Sequence, residues 1–304
     1  MRSFLAVCAA ALFALSAHAQ QPAWQPPPGH ITLALWPNGA PGAQPNPQPE
    51  KNMTKPGDKL VAGRSVIRLT NVSVPAITVY PVAGKQTRPA IVVFPGGAYQ
   101  VLAIDLEGTE VCTWLNSIGV DCILLKYRVP NSGPYPKSAA ALQDAQRALG
   151  LVRWHAAAWH IDPHRIGVLG FSAGAHLAAA LSTHYDQRLY PPIDAADQRS
   201  CRPDFAIIIY PGWLALSEHG MEPNPNIHVT PQTPPAFLVQ AEDDPVHVEN
   251  AVTYFMELKH AGVPAELHIY AQGGHGYGLR HTALPITNWP QAATTWLHTI
   301  GVLK

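Results

Sequence analysis

The sequence predicts one α/β domain built on a mostly parallel, eight-stranded sheet with helices on both faces. Three observations support this. Apolar runs rich in β-branched residues recur from about residue 60 onward, helix-length stretches separate the later runs, and 47% of the chain is apolar against 13% charged. Strands that alternate with helices form βαβ units, and such units build a parallel sheet covered on both sides. A chain of 304 residues with this composition has the material for one large core.

The N-terminus stands apart. Arg2 precedes an apolar run from Phe4 to Leu15 and then Ala17-His18-Ala19, the charged start, short hydrophobic stretch and small-x-small site of a secretory signal peptide. The run is too short to stay in a bilayer as a spanning helix. Residues 1–19 are therefore expected to be removed and the product exported, to the periplasm or beyond. Residues 20–59 form a second segment. Between 20 and 49 it holds nine prolines among mostly polar residues, a composition that resists helix and sheet and favours an extended arm. Ile31 to Trp36 interrupts the arm with an apolar stretch that can pack on the domain. Residues 60–304 are read as the domain itself.

Within that domain, strand candidates lie at Val66–Leu69, Ala76–Val82, Ala90–Phe94, Cys122–Tyr127, Ile166–Leu169, Phe205–Ile209, Ala236–Gln240 and Glu266–Tyr270. The first two leave little room for a helix between them and suggest an antiparallel start. Helix candidates are Glu107–Asn116, Ser138–Ala158, Ala173–His184, Val248–His260 and Trp289–Ile300. Ligands of open α/β sheets bind beyond the carboxyl ends of the strands, so the residues just after each strand are the ones placed to carry chemistry.

Charge and cysteine content narrow the function classes. Twenty basic residues balance twenty acidic ones with no basic run, which leaves no electrostatic case for nucleic acid or an anionic membrane as partner. Three cysteines follow the leader. Cys112 and Cys122 fall on a helix and the next strand and can meet as a disulfide in an oxidising compartment; burial of both, with Cys201, as small core residues stays open. No cysteine pair has the spacing of a zinc site.

Gly170-Phe171-Ser172-Ala173-Gly174 has the form G-x-S-x-G directly after a strand candidate and at the start of a helix. A sharp strand-to-helix turn presents a serine hydroxyl, and flanking small residues let the backbone pass close to it. Serine needs a base beside it. His275, in Gly273-Gly274-His275-Gly276 just past the last strand candidate, is the histidine of fifteen placed for that role. An acid to orient it is offered by Glu242-Asp243-Asp244-Pro245. Asp244 is the choice, with Asp243 the alternative and an N-cap role open to either. Phe94-Pro95-Gly96-Gly97-Ala98-Tyr99 ends another strand and supplies backbone N–H groups, so Gly97 and Ala173, with Ala98 as a further donor, are candidates to hold an oxyanion. Tyr99 and Trp213 also follow strands and are candidate pocket walls, with plain packing the alternative for each.

These motifs, with Lys126-Tyr127-Arg128, Asp162-Pro163, Arg165-Ile166 and Gly276 to Gly278, resemble the α/β-hydrolase superfamily. Within it they are similar to the acetyl-esterase branch near the hormone-sensitive-lipase group, whose exported bacterial members are often labelled acetylxylan esterases or xylanases. The resemblance implies the α/β-hydrolase fold, Ser172, Asp244 and His275 as a catalytic triad, and no metal or organic cofactor. It also implies a small-molecule or polysaccharide ester as substrate, with acetyl groups on carbohydrate foremost. Two departures stand out. Pro95 and Ala98 replace the first and last residues of the group's H-G-G-G motif, and Phe171 and Ala175 replace an acid and a glycine around the serine. The competing readings are a general carboxylesterase or lipase, a serine peptidase of the same fold, an endo-xylanase using two opposed carboxylates, and a non-catalytic binding protein on the same fold.

Overall fold

The computed structural model describes residues 23–45, 47–216 and 220–304. The leader assigned to residues 1–19 lies outside the described residues. The main sheet contains β1 (Ile31–Ala34), β2 (Ala76–Tyr80), β3 (Arg88–Phe94), β4 (Asp121–Lys126), β5 (Ile161–Phe171), β6 (Ala206–Ile209), β7 (Ala236–Ala241) and β8 (Ala265–Tyr270). Their order across the sheet is β1-β2-β4-β3-β5-β6-β7-β8. β2 pairs antiparallel with β1 and with β4, and every other neighbour is parallel.

The central strands read as continuous apolar runs because both of their faces are covered. Pro89 to Phe94 and the whole of β6 and β7 are buried. Each buried Val, Ile or Phe side chain contributes about 1.5–3 kcal/mol by leaving water. Among the described residues five helices supply the cover: α1 (Glu110–Ser117), α2 (Ala139–His155), α3 (Ala173–Thr183), α4 (Glu249–His260) and α5 (Trp289–Thr299). Right-handed crossovers place α1 on the face opposite α2 and α3, because β3 to β4 steps one way along the sheet and β4 to β5 to β6 steps the other. Packing agrees. Trp114 of α1 meets Trp289 of α5 at 5.2 Å, while α2 and α3 lie against each other.

The antiparallel start has a different membership from the one the hydropathy pattern suggests. Of the candidate Val66–Leu69, Arg68 and Leu69 fall in a strand, Arg68–Thr70, that pairs with Lys51–Asn52 and Leu102–Ala103 in a separate three-stranded sheet. The edge of the main sheet is taken instead by Ile31–Ala34, from the proline-rich arm. Proline lacks a backbone donor, but none occurs between Gly29 and Trp36, so this piece is free to pair. Leu35 and Trp36 then enter the core, the Trp36 indole N–H donates to Asp144 Oδ1 at 2.7 Å, and Arg147 Nε donates to the Leu35 carbonyl at 3.0 Å. Arg128 Nη1 holds the Pro41 carbonyl at 2.6 Å. The arm is thus docked along much of its length.

The helix expected at Glu107–Asn116 begins with a π-helical turn, Asp105–Thr109, before α1 proper. Cys112 on α1 and Cys122 on β4 form a disulfide, and Cys201 is buried and unpaired. Among the described residues no helix is long and apolar enough to cross a membrane.

Candidate active site

Ser172 sits between the end of β5 and the start of α3 with φ 52° and ψ −115°, a conformation that non-glycine residues seldom adopt. Its amide N–H is held by the Ile209 carbonyl at the end of β6, 3.0 Å away. Gly174 explains the spacing of the motif: a Cβ there would collide with the Phe94 carbonyl, so only glycine lets α3 start this close to β3.

His275 arrives from the loop after β8. Its Nε2 is 2.8 Å from Ser172 Oγ and its Nδ1 is 2.9 Å from Asp244 Oδ2. The Asp244 side chain has no exposed surface, and its other oxygen, Oδ1, accepts the Val246 N–H at 2.7 Å. A carboxylate facing Nδ1 fixes the ring proton there and leaves Nε2 as an acceptor for the serine hydroxyl. Asp243 does something else. It is exposed, and its Oδ1 accepts the N–H groups of Gly273 (2.9 Å) and Gly274 (2.7 Å), which shapes the loop carrying His275.

The loop after β3 lies across the site. Gly97 adopts φ 132°, and a Cβ on it would strike the Val101 carbonyl. Among the described residues the N–H groups of Gly97, Ala98 and Ala173 meet no protein acceptor. Gly97 and Ala98 line a cavity of about 440 Å³ together with Ser172, Trp213, Val246 and His275. Three donors left open beside a serine held by an imidazole suit the charge that develops on an ester carbonyl under attack.

Of the two proposed pocket walls, Trp213 lines this cavity and Tyr99 does not. Tyr99 is fully buried behind Trp213, with ring centroids 5.9 Å apart, and its hydroxyl contacts His176 Nδ1 at 2.8 Å. Both Ala98 and Tyr99 have positive φ, a sharp local turn, and the loop meets the cavity again at Val101. His176 itself is buried on α3 beneath these two aromatics, and burial depresses its imidazole to about 3. Among the described residues no group of three or more His, Cys, Asp and Glu side chains could hold a metal.

The chain is similar over 90% of its length, and over 97% of the partner's, to the crystal structure of an acetyl ester-xyloside bifunctional hydrolase from Caldicellulosiruptor lactoaceticus, with 35% identity and a TM-score of 0.71. The chain belongs to the α/β-hydrolase family of carboxylic ester hydrolases. A family model described as BD-FAE matches residues 78–210 of this hydrolase. An acetylxylan esterase of Xylanibacter ruminicola is 31% identical over 213 residues, which make up 62% of the hydrolase and 41% of that relative. The hydrolase thus spans about two fifths of that relative's length. The carboxylesterase NlhH of Mycobacterium tuberculosis is 28% identical, covering 67% of the hydrolase and 71% of the relative.

Several residues at the site of the hydrolase have no local sequence signal. Lys59, Val61, Val66 and Arg68, upstream of the first main-sheet strand of the domain, line the cavity. Arg280 holds them there: its buried guanidinium donates to the carbonyls of Arg64 and Ser65, both at 2.9 Å, and pairs with Glu110 at 2.8 Å. Glu107 and Tyr210 are a second such pair. Their acidic and phenolic character is visible in the sequence, but their meeting depends on contacts 103 residues apart.

Proposed function

We propose that this protein is a serine esterase that hydrolyses short-chain acyl esters, acetyl above all, carried on carbohydrate. The observation that carries the reading is the chain of contacts from Ser172 through His275 to the buried Asp244, at 2.8 and 2.9 Å, beside the cavity. In this mechanism His275 Nε2 takes the proton of Ser172 as Oγ attacks the ester carbonyl. The N–H groups of Gly97, Ala98 and Ala173 receive the oxyanion. His275 then gives the proton to the departing sugar hydroxyl, leaving an acyl-serine. Water, deprotonated by the same imidazole, releases the acid and restores the serine. Asp244 stays ionised and stabilises the imidazolium formed in each half.

The carbohydrate side of the proposal rests on similarity to the acetylxylan esterase and the acetyl ester-xyloside hydrolase. The leader at residues 1–19 supports export to where plant polysaccharide is met. Trp213 and Val246 give the cavity an apolar wall suited to an acyl group. The test is acetate release from acetylated xylan, run beside a series of p-nitrophenyl esters, for the wild type and Ser172→Ala. The expected result is acetate from the polymer, a preference for short chains, and a loss of roughly 10⁴-fold or more in the variant. Activity surviving in Ser172→Ala would refute the serine mechanism, and a preference for long chains would refute the acetyl assignment.

A further inference from the structure

Glu107 lies on the π-helical turn before α1 and contributes to the cavity wall beside Ser172 and His275. It is only 4% exposed. Its Oε2 accepts the Gly96 N–H at 2.6 Å and its Oε1 accepts the Tyr210 hydroxyl at 2.8 Å. Both partners donate, which is the arrangement an ionised carboxylate requires. Among the described residues no lysine or arginine pairs with it. The groups facing it are Asp105 on its own turn, the hydroxyls of Tyr127 and Tyr210 from the ends of β4 and β6, and His275 and the Tyr277 hydroxyl from the loop after β8. Asp105 is already paired with Arg280 at 3.2 Å.

A buried carboxylate without a cation is costly, and burial pushes this one above its ordinary range against the pull of its two donors and of His275. A neutral residue could fill the same space, so the charge calls for a reason. The positive charge that arises within its reach is the imidazolium of His275, formed each time Ser172 or water gives up its proton. Tyr210 links the two. Its ring packs edge-on against His275 with centroids 4.9 Å apart, and its oxygen accepts the Gly278 N–H at 3.1 Å while donating to Glu107. The same carboxylate, through Gly96, anchors the loop whose next residues are Gly97 and Ala98. Tyr127 secures that loop's other side by donating to the Pro95 carbonyl at 2.6 Å.

We propose that Glu107 is a positioning residue for ester hydrolysis: it locks the Gly96–Gly97 loop and, through Tyr210, the His275 loop, and its negative charge, in addition to that of Asp244, stabilises the His275 imidazolium. The proposal rests on the serine mechanism above. Glu107→Gln keeps the shape but not the charge. Its amide oxygen can keep the Gly96 N–H while its NH₂ donates to the Tyr210 oxygen, which accepts as well as donates, so both contacts survive and the charge alone is removed. The expected result is a fall in kcat/KM for p-nitrophenyl acetate of roughly 10- to 100-fold with KM little changed. The acid limb of the pH profile should also move to lower pH by about half a unit to one unit, because a nearby anion favours the charged form of an imidazole and the variant lacks it.

A purely structural residue would lower the rate without moving that limb, and an unmoved limb overturns the proposal. Glu107→Ala tests the same point independently, since truncation opens a hole onto the cavity. Formate is expected to restore rate and formamide is not. Equal rescue by both, or rescue by neither, overturns the charge role. Ser172→Ala, assayed alongside, separates the two levels: if it is inactive while the Glu107 variants behave as structural changes, the serine mechanism stands and this inference alone fails.

Discussion

Replacing Asp244 by Asn tests how the histidine is set. The Asp244 carboxylate approaches His275 Nδ1 at 2.9 Å and its other oxygen is occupied by the Val246 N–H at 2.7 Å. In Asp244→Asn the Val246 N–H claims the single amide oxygen, so the NH₂ group turns toward His275. An N–H facing Nδ1 demands a lone pair there, which moves the ring proton to Nε2. Nε2 then points a hydrogen at Ser172 and can no longer accept one. The charge is lost as well. A unit pair 3–4 Å apart at an effective dielectric of 20 is worth about 4–6 kcal/mol, and at 1.36 kcal/mol per decade this is a 10³- to 10⁴-fold effect on rate. The assay is kcat/KM on p-nitrophenyl acetate near neutral pH, with unfolding temperature as the check on folding. Asp243→Asn is the control. Its oxygen can still accept from Gly273 and Gly274, so its activity should stay within about threefold of wild type, as exposed polar changes usually do. If Asp244→Asn keeps more than a tenth of the activity, or the Asp243 variant loses more than the Asp244 variant, the tautomer reasoning is wrong.

Two further outcomes follow from the same side chains. Trp213→Ala should enlarge the acyl side of the cavity; each extra CH₂ accommodated contributes about 0.8 kcal/mol, so the butyrate-to-acetate ratio of kcat/KM should rise by up to ~15-fold. An unchanged ratio would remove Trp213 from the acyl wall. His176 is depressed to about 3 by burial while the unfolded chain titrates it near 6.5, so the unfolded state binds the extra proton and stability falls as pH drops from 6.5 toward 3. The effect is at most about 5 kcal/mol across that window. Thermal unfolding of His176→Phe should show a flatter acid dependence than wild type, and parallel curves would clear His176 of it.

The parts of this molecule legible in its sequence are those whose cause is local. Ala90–Phe94, Ile166–Leu169, Phe205–Ile209 and Ala236–Gln240 announce buried strands because both faces are covered and apolar residues run on without alternation. The serine turn is visible because close backbone approach demands glycine at fixed offsets. Asp244 and Asp243 are neighbours that sequence alone could rank but not separate, and their burial, one covered and one exposed, distinguishes them. Tyr99 is the harder case: whether an aromatic after a strand faces cavity or core depends on the local backbone turn and its packing, which hydropathy does not report. The edge strand was hidden for a different reason. Ile31–Ala34 is four residues long, set among prolines, and finds its partner more than forty residues away, so composition argued against pairing that only long-range contacts could supply.

Those long-range contacts also explain how the site keeps a shape that its backbone resists. Of the nine non-glycine residues with positive φ among the described residues, six (Ala98, Tyr99, Ser172, Tyr210, Trp213 and His247) lie in the loops after β3, β5, β6 and β7. Each such residue costs on the order of 1–3 kcal/mol and persists only where its surroundings over-determine it. Here they do. Ser172 is tied to Ile209, Pro95 to Tyr127, Gly96 to Glu107, and Glu107 through Tyr210 to Gly278. All of these bonds tie a loop of the site to a segment distant in sequence, so loosening one releases strain in its neighbours. Variants along this chain should therefore be non-additive: a second substitution ought to cost less activity than it does alone, because the first has already let the loops relax.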